Sequence, residues 1–447
     1  MLSRRNLLAS SSALLTSAAV PQKPNLLLIL TDQQSHLAWS GARNPWLSTP
    51  AMDSLARAGT VYEEAYCAYP VCSPSRSSIF TGRMPNETGV MTNGKAIPAT
   101  IPTLGEVFAS GGYRTVYGGK WHLPKSFDGM TGFTKLIGGS GQGKDMDAPL
   151  ASTCADWLAK QSGETQPFLM VASFMNPHDI CEWIRQHPGA RHHPRRHNFP
   201  PAPTNLALDP HEPSSLQFHR SAGYDLMSKG VGIAQQWRAD DFRHYLHDYY
   251  RMVESVDREI GRVLSALGSS GQRDNTIICF ASDHGEGLGA HRWVQKAAFW
   301  EETVHVPLFF QGPGIQSGQR SRDLVSLLDI VPTFCDFAGL SAPPNQRGQS
   351  LRPSLSGQAQ PREYIASQLR FDSPGREARM LRTERYKYIA YNSGQRPEQL
   401  FDLLLDPGET SNLVGQADAK PILALHRQLL TRELRTTSDS FSPAISG

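Results

Sequence analysis

Apolar residues along this chain follow two rhythms. Asn25-Leu-Leu-Leu-Ile-Leu-Thr31, Phe168-Leu-Met-Val-Ala-Ser-Phe174 and Thr276-Ile-Ile-Cys-Phe-Ala-Ser282 are unbroken runs of strand length, the pattern of parallel strands buried on both faces. Tyr113 to Tyr117 and Val304 to Phe310 read as further strands. From Asp241 to Leu267 the spacing changes. Phe242, Tyr245, Tyr249, Val253, Val256, Ile260, Val263 and Leu267 recur at helical intervals, which predicts one long amphipathic helix whose stripe is core. Thr49-Pro50 opens a helix that stops at Gly59, and Thr103-x-x-Glu106 is a capping box for another that ends at Gly111-Gly112. A further helix is expected around Leu324 to Leu340.

Two regions break this pattern. Between about Cys181 and Gln236 periodicity vanishes while Pro, His and Arg accumulate. So long a stretch inside a compact domain is functional or disordered. Residue by residue it reads as solvated surface loop, and as a whole as a segment that lines a substrate cleft and meets extra anionic groups. From about Pro353 the character changes again. Tyr386-Lys-Tyr-Ile-Ala-Tyr391 alternates like a half-buried antiparallel strand, and Gln399-Leu-Phe-Asp-Leu and Asp406-Pro-Gly-Glu-Thr give strand and turn before a terminal helix. A small C-terminal α+β domain is expected.

The strand-like runs share a peculiarity at their C-terminal ends. They hand over Asp32, then Lys120 with His122, then His178, then Asp283 with His284. Each has an ordinary reading, as a turn cap, a surface charge or a satisfied core histidine. In an α/β sheet, however, those ends share one rim where ligands bind, and independent capping roles do not predict the coincidence. Two carboxylates brought together there repel, and burying each costs several kcal/mol unless it is paired. A divalent cation answers both difficulties.

Cys72-Ser-Pro-Ser-Arg-Ser-Ser-Ile-Phe-Thr-Gly-Arg-Met-Pro85 is the most informative stretch. Pro74 suits the first residue of a helix and Gly82 its C-terminal stop, which puts Cys72 and Ser73 at the N-terminus, where unpaired N–H groups favour an anion. A lone cysteine there reads as a buried thiol. Cys72-x-Pro74-Ser75-Arg76 followed by Thr81-Gly82-Arg83, however, resembles the signature of type I sulfatases, whose cysteine is oxidised to Cα-formylglycine by a formylglycine-generating enzyme. The resemblance runs from Asn25 through the Asp406-Pro-Gly-Glu turn and is weakest across 181–236.

That resemblance implies an alkaline phosphatase-like fold: a large, mostly parallel mixed sheet sandwiched by helices over residues 23–352, with the α+β subdomain over 353–447. It implies Asp32, Gln33, the modified Cys72, Asp283 and His284 as metal ligands. Relatives often carry a second Asp at the position of Gln33 and Asn at that of His284. Calcium is the expected ion in an oxygen-rich site, the histidine nitrogen moves the preference toward Mn2+, and Mg2+ is a further alternative. The implied mechanism has the hydrated aldehyde at 72 attack sulfur, helped by the metal, Arg76 and Lys120. Lys120, His178 and Lys296 hold the sulfate oxygens, His178 or Lys296 protonates the leaving alcohol, and His122 takes the proton whose removal expels sulfate. His291 has either a substrate contact or a structural role.

Composition narrows the picture further. Over 447 residues the formal charge is +3, and removing residues 1–22 takes Arg4 and Arg5 and no acid, leaving about +1. No general affinity for nucleic acid follows. The first 22 residues, with adjacent arginines before an apolar, Ser-rich run, read as a twin-arginine export signal, and that run is far short of the roughly 20 apolar residues a membrane span needs. The expected destination is the periplasm. The six cysteines have irregular spacing that suggests neither a disulfide framework nor a zinc site. Sulfate ester hydrolysis, of a sulfated saccharide or another small alcohol, is the leading expectation. A formylglycine-dependent phosphonate monoester or phosphodiester hydrolase is the nearest alternative, and a non-catalytic binder of sulfated glycans is the alternative from another class.

Overall fold

The computed structural model describes residues 23–123, 132–139, 141–190, 198–222, 234–371 and 375–445. The expected export signal and two parts of the 181–236 segment lie outside them. Eight strands form the main sheet: β1 (Asn25–Asp32), β2 (Thr60–Tyr66), β3 (Arg114–Gly119), β4 (Thr134–Gly138), β5 (Phe168–Pro177), β6 (Thr276–Ser282), β7 (Leu308–Gln311) and β8 (Gln319–Ser326). Their order across the sheet is β4-β3-β5-β1-β6-β7-β2-β8. All run the same way except β7, which is antiparallel to both its neighbours.

The longer helices are α1 (Pro50–Ala58), α2 (Cys72–Thr81), α3 (Leu104–Ser110), α4 (Gly143–Ala159), α5 (Ile180–Gln186), α6 (Ser214–Ala222), α7 (Ala239–Ser269), α8 (Ile330–Ala338) and α9 (Lys420–Thr436). Along β1, Leu26, Leu28 and Leu30 join a core with residues of α2, α3 and α8. Leu27 and Ile29 join a second core with residues of α1, α4 and α7. The continuous apolar run therefore buries both of its faces, as its lack of alternation predicts.

The small sheet consists of β9 (Ile365–Arg370), β10 (Glu377–Arg382), β11 (Tyr386–Tyr391) and β12 (Glu398–Asp402), antiparallel in the order β12-β11-β10-β9. Leu381, Tyr388, Ala390 and Leu400 pack with Leu423, Leu429 and Leu430 of α9. Met380, Ile389 and Tyr391 belong instead to the core shared with the main sheet. The large parallel sheet between helices and the smaller antiparallel sheet are the expected fold. No described helix is long and apolar enough to cross a membrane.

Several boundaries differ from expectation, each for a local reason. β2 has half-exposed acids, Glu63 and Glu64, in its middle. β8 is an edge strand with a polar, exposed first half, so Leu324 to Ser326 end a strand and the helix begins only at Ile330. Glu301–Val304 is a helical turn, and β7 starts at Leu308. α4 contains Pro149, a residue that argues against a helix interior. The 181–236 segment carries α5 and α6. α2 begins at Cys72, with Pro74 inside its first turn, where no intrahelical N–H is needed.

Lys387 joins the two sheets. Its side chain has no solvent exposure, and Nζ lies 2.6 Å from Glu301 Oε1 and 2.8 Å from Glu409 Oε1. It also donates to the Phe299 carbonyl at 2.8 Å. Glu409 in turn accepts the Glu301 N–H at 2.7 Å. Removing the cation leaves two buried carboxylates with each other. Lys387→Met is expected to lower the free energy of unfolding by about 3 to 5 kcal/mol, read from urea denaturation. A midpoint equal to that of the unsubstituted protein would mean that this triad does not hold the sheets together.

Candidate active site

β3, β5, β1 and β6 are four consecutive, parallel strands of the sheet, so their C-terminal ends form one rim. The register pairs Asp32 with Pro177, Thr31 with Ser282 and Gly119 with Ser173. Asp32, Lys120, His178 and Asp283 therefore emerge side by side. Cys72 reaches the same rim as the first residue of α2, buried to 0% exposure. The N-cap, Val71, offers no side-chain acceptor. Asn93 Oδ1 instead accepts the Ser73 N–H at 3.0 Å.

Arg76 lies one helical turn beyond Cys72 and has 0% exposure. Its Nε donates to Asp283 Oδ2 at 2.8 Å and a terminal nitrogen lies 3.1 Å from Asp32 Oδ2. The other terminal nitrogen donates to the Lys120 carbonyl at 2.7 Å and Ser173 Oγ at 2.8 Å. The guanidinium is thus engaged by groups of the rim itself. Two hydroxyls finish the docking of the helix: Ser73 donates to the His122 carbonyl and Ser75 to that of Asp283.

Cys72 Sγ is surrounded by nitrogen. Lys296 Nζ lies 3.0 Å away, His284 Nε2 3.2 Å and Lys120 Nζ 3.7 Å. Burial alone would push the thiol up, but Lys120, Lys296 and His284, with a hydrogen bond from His122, hold it well below the usual thiol range. Burial and the nearby Cys72 likewise push the Asp32 carboxyl up. Lys120, whose Nζ lies 2.5 Å from Oδ2, with His178 and Arg76, brings it well below the carboxylate range. Asp283 is raised, by burial first and then by the charge of Asp32.

With both Oδ2 atoms tied to Arg76, the Oδ1 atoms face inward. His284 Nε2 lies 4.0 Å from Asp32 Oδ1 and 3.7 Å from Asp283 Oδ1, and Cys72 Sγ lies 3.8 Å from Asp32 Oδ1. One donor atom from each of Asp32, Cys72, Asp283 and His284 falls within 4.8 Å of all the others. His284 Nδ1 is taken by the Gly285 carbonyl at 2.9 Å, which leaves Nε2 as the atom presented to the cluster. Two carboxylates and an imidazole so oriented fit a divalent cation.

Gln33, at φ +70°, directs its side-chain carbonyl to Lys296 Nζ at 2.9 Å. His178 sits in the rim with Nδ1 buried and without a hydrogen-bond partner. Burial, then Lys120 and Lys296, lowers its pKa to about 4. His122 is exposed beside the helix N-terminus. The expected site residues Asp32, Gln33, Cys72, Arg76, Lys120, His122, His178, Asp283, His284 and Lys296 thus assemble in one place. His291 stacks on Trp300 at 3.8 Å between ring centres, a packing contact. Sequence reasoning passed over Ser173 and Asn93, which look like any strand and loop residue. It also passed over Glu286, whose place two residues after His284 was the available signal.

Comparison with known proteins agrees with this geometry. A family model described as Sulfatase matches residues 24–340, and one described as N-sulphoglucosamine sulphohydrolase, C-terminal, matches residues 289–436. Delta 4,5-hexuronate-2-O-sulfatase of Bacteroides thetaiotaomicron is 31% identical over 95% of this chain and 92% of its own. The solved structure of a 2-O GAG sulfatase superposes with a TM-score of 0.84 at 29% identity, covering 94% of this chain and 93% of the other. A phosphonate monoester hydrolase of Agrobacterium radiobacter shares the fold, with a TM-score of 0.77 at 24% identity over 92% and 96% of the two chains. From its sequence, its fold and the assembly around Cys72, the chain belongs to the sulfatase family and is a sulfuric ester hydrolase.

Proposed function

We propose that the protein hydrolyses sulfate esters of saccharides, with residue 72, oxidised from cysteine to formylglycine by a formylglycine-generating enzyme, as its nucleophile. The observation that carries this reading is the convergence on Cys72 Sγ of Lys296, His284 and Lys120 at 3.0, 3.2 and 3.7 Å. That sulfur marks where an oxygen of the modified side chain would lie. The saccharide class is supported by the names of two relatives, a hexuronate-2-O-sulfatase and a 2-O GAG sulfatase.

Asp32, Asp283 and His284, with Gln33 and residue 72, would hold the cation, for which we favour calcium over Mn2+ or Mg2+. When bound, it supplies positive charge that favours the ionised form of the nucleophile at 72. Lys120 and Lys296 stand where they can bind sulfate oxygens, and their bonds strengthen as charge moves onto those oxygens. Arg76, engaged by both acids, fixes where the nucleophile stands. As the bond from sulfur to the alcohol oxygen breaks, Lys296, or His178 once the bound sulfate offsets the charges of Lys120 and Lys296 that hold its pKa down, gives that oxygen a proton. His122, on the open side, accepts the proton from the remaining hydroxyl at 72, which releases sulfate and restores the aldehyde. Residues 1–22 would export the folded protein by the twin-arginine route to the periplasm, and residues 23–352 and 353–447 form the catalytic and C-terminal units.

Mass analysis of the peptide that contains residue 72, taken from protein made with a formylglycine-generating enzyme, is expected to show an aldehyde. An intact thiol in fully active material would refute the modification. Cys72→Ala is expected to fold normally and lose more than about 1,000-fold in kcat, as removal of a nucleophile does. His178→Ala is expected to slow alkyl and sugar sulfates at least about tenfold more than activated aryl sulfates, whose leaving groups need little protonation. Equal losses would show that His178 only binds. Aryl sulfate is expected to be turned over faster than aryl phosphonate or phosphate diester, and the reverse order would favour the phosphonate hydrolase reading.

A further inference from the structure

Glu286 has 0% exposure, and no step described above uses it. Its carboxylate accepts four hydrogen bonds. Oε2 receives the side-chain amide Nε2–H of Gln33 at 2.5 Å. Oε1 receives the Gly287 N–H at 3.0 Å, the Gln295 N–H and the hydroxyl of Tyr245 on α7. Gly287 and Gln295 bracket the segment that ends at Lys296. Within and just beyond it, Leu288, His291, Arg292, Gln295 and Ala297 have φ of +52°, +51°, +55°, +68° and +64°. Residues other than glycine adopt that conformation only at an energetic cost. Only strong fixed bonds keep such a segment in one shape. The Gly287 N–H to Gln295 carbonyl bond at 2.7 Å and the Gly289 N–H to Trp293 carbonyl bond at 2.9 Å cross it, and Glu286 binds both of its ends.

The second arm of the carboxylate acts on Gln33. An amide whose Nε2–H groups are taken by Glu286 and, at 3.3 Å, by Cys181 Sγ has its carbonyl pointing the other way. That carbonyl accepts Lys296 Nζ at 2.9 Å, and the same Nζ reaches Cys72 Sγ at 3.0 Å. We propose that Glu286 is a positioning residue: by fixing the Gln33 amide and the 287–295 segment together, it sets the reach of Lys296 toward the reacting side chain at 72. The inference rests on the proposed contact between Lys296 and the sulfate.

The geometry dictates the test. In Glu286→Gln the side-chain oxygen is best kept on the side of three donors, which turns the new amide N–H groups toward Gln33. Gln33 must then flip, its own N–H groups face the Lys296 ammonium and the proposed cation site, and the lysine loses this acceptor while the cation loses the same oxygen. Adding Gln33→Glu reverses the conflict, since one oxygen of the carboxylate introduced at position 33 accepts from the amide introduced at position 286 and the other from Lys296. Glu286→Gln is expected to lower kcat/KM about 10- to 100-fold, chiefly through kcat, with the melting curve little changed. Gln33→Glu alone, with two carboxylates face to face, is expected to lose at least about tenfold, and the double variant to recover most of either loss.

A residue that merely fills the core gives no such recovery. Wild-type turnover in Glu286→Gln, or a double variant no better than the worse single, would overturn the proposal. If Glu286→Gln does not fold, Gln33→Glu against the double variant decides in the same way. Lys296→Ala settles which reading fails. Wild-type turnover there would overturn both the role of Lys296 and this inference, whereas an impaired Lys296→Ala with no recovery in the swap would overturn the inference alone.

Discussion

The guanidinium of Arg76, held between the carboxylates of Asp32 and Asp283, is the constraint on which the site depends. Cys72 and Arg76 are four residues apart and so lie on one face of α2. The ion pairs at 2.8 and 3.1 Å therefore fix how high the helix sits above the ends of β1 and β6, and with it the position of residue 72. The spacing in Cys72-x-Pro-Ser-Arg76 has a mechanical reason. One end of a helical turn carries residue 72, the proposed nucleophile, and the other end anchors it to Asp32 and Asp283.

The same bonds organise the electrostatics. Fully buried carboxylates cost several kcal/mol each unless they are paired and hydrogen-bonded. Here Arg76 takes one oxygen of each, and Lys120 adds to the pairing of Asp32. The remaining oxygens turn toward His284 and residue 72. Lys120 and Lys296, both nearly buried, bring their ammonium groups to the same cluster. In the proposed reaction a monoanionic ester would meet these fixed cations, and the charge moving onto its sulfate oxygens would find them already in place. Preorganisation of this kind comes from the sheet, because four adjacent parallel strands place neighbouring ends about 5 Å apart along one rim.

Much of this was legible in the residues. The runs at Asn25, Phe168 and Thr276 are strands buried on both faces because nothing in them alternates, and the polar residues that end them mark the rim. What escaped notice did so for physical reasons. β8 begins with Gln319-Arg-Ser-Arg322 because an edge strand faces water, and β2 carries two half-exposed acids in its middle. α4 tolerates Pro149 in its interior. Arg76 could be expected in the site, yet only the fold reveals that both acids and the Lys120 carbonyl occupy its donors. The bonds of Glu286 to Gln33 and Gln295 join positions far apart in sequence or across a loop, and no periodicity announces such a meeting.

The proposed chemistry requires a divalent cation beside an oxidised side chain in this rim, where Arg76 clamps the Oδ2 atoms of both acids. A crystal structure of the enzyme purified with calcium, with anomalous scattering recorded, tests it most directly. The predicted result is a calcium signal bounded by Asp32 Oδ1, Asp283 Oδ1 and His284 Nε2, with oxygen rather than sulfur on residue 72. A fully active crystal with sulfur at 72 and no cation signal at that point would contradict it.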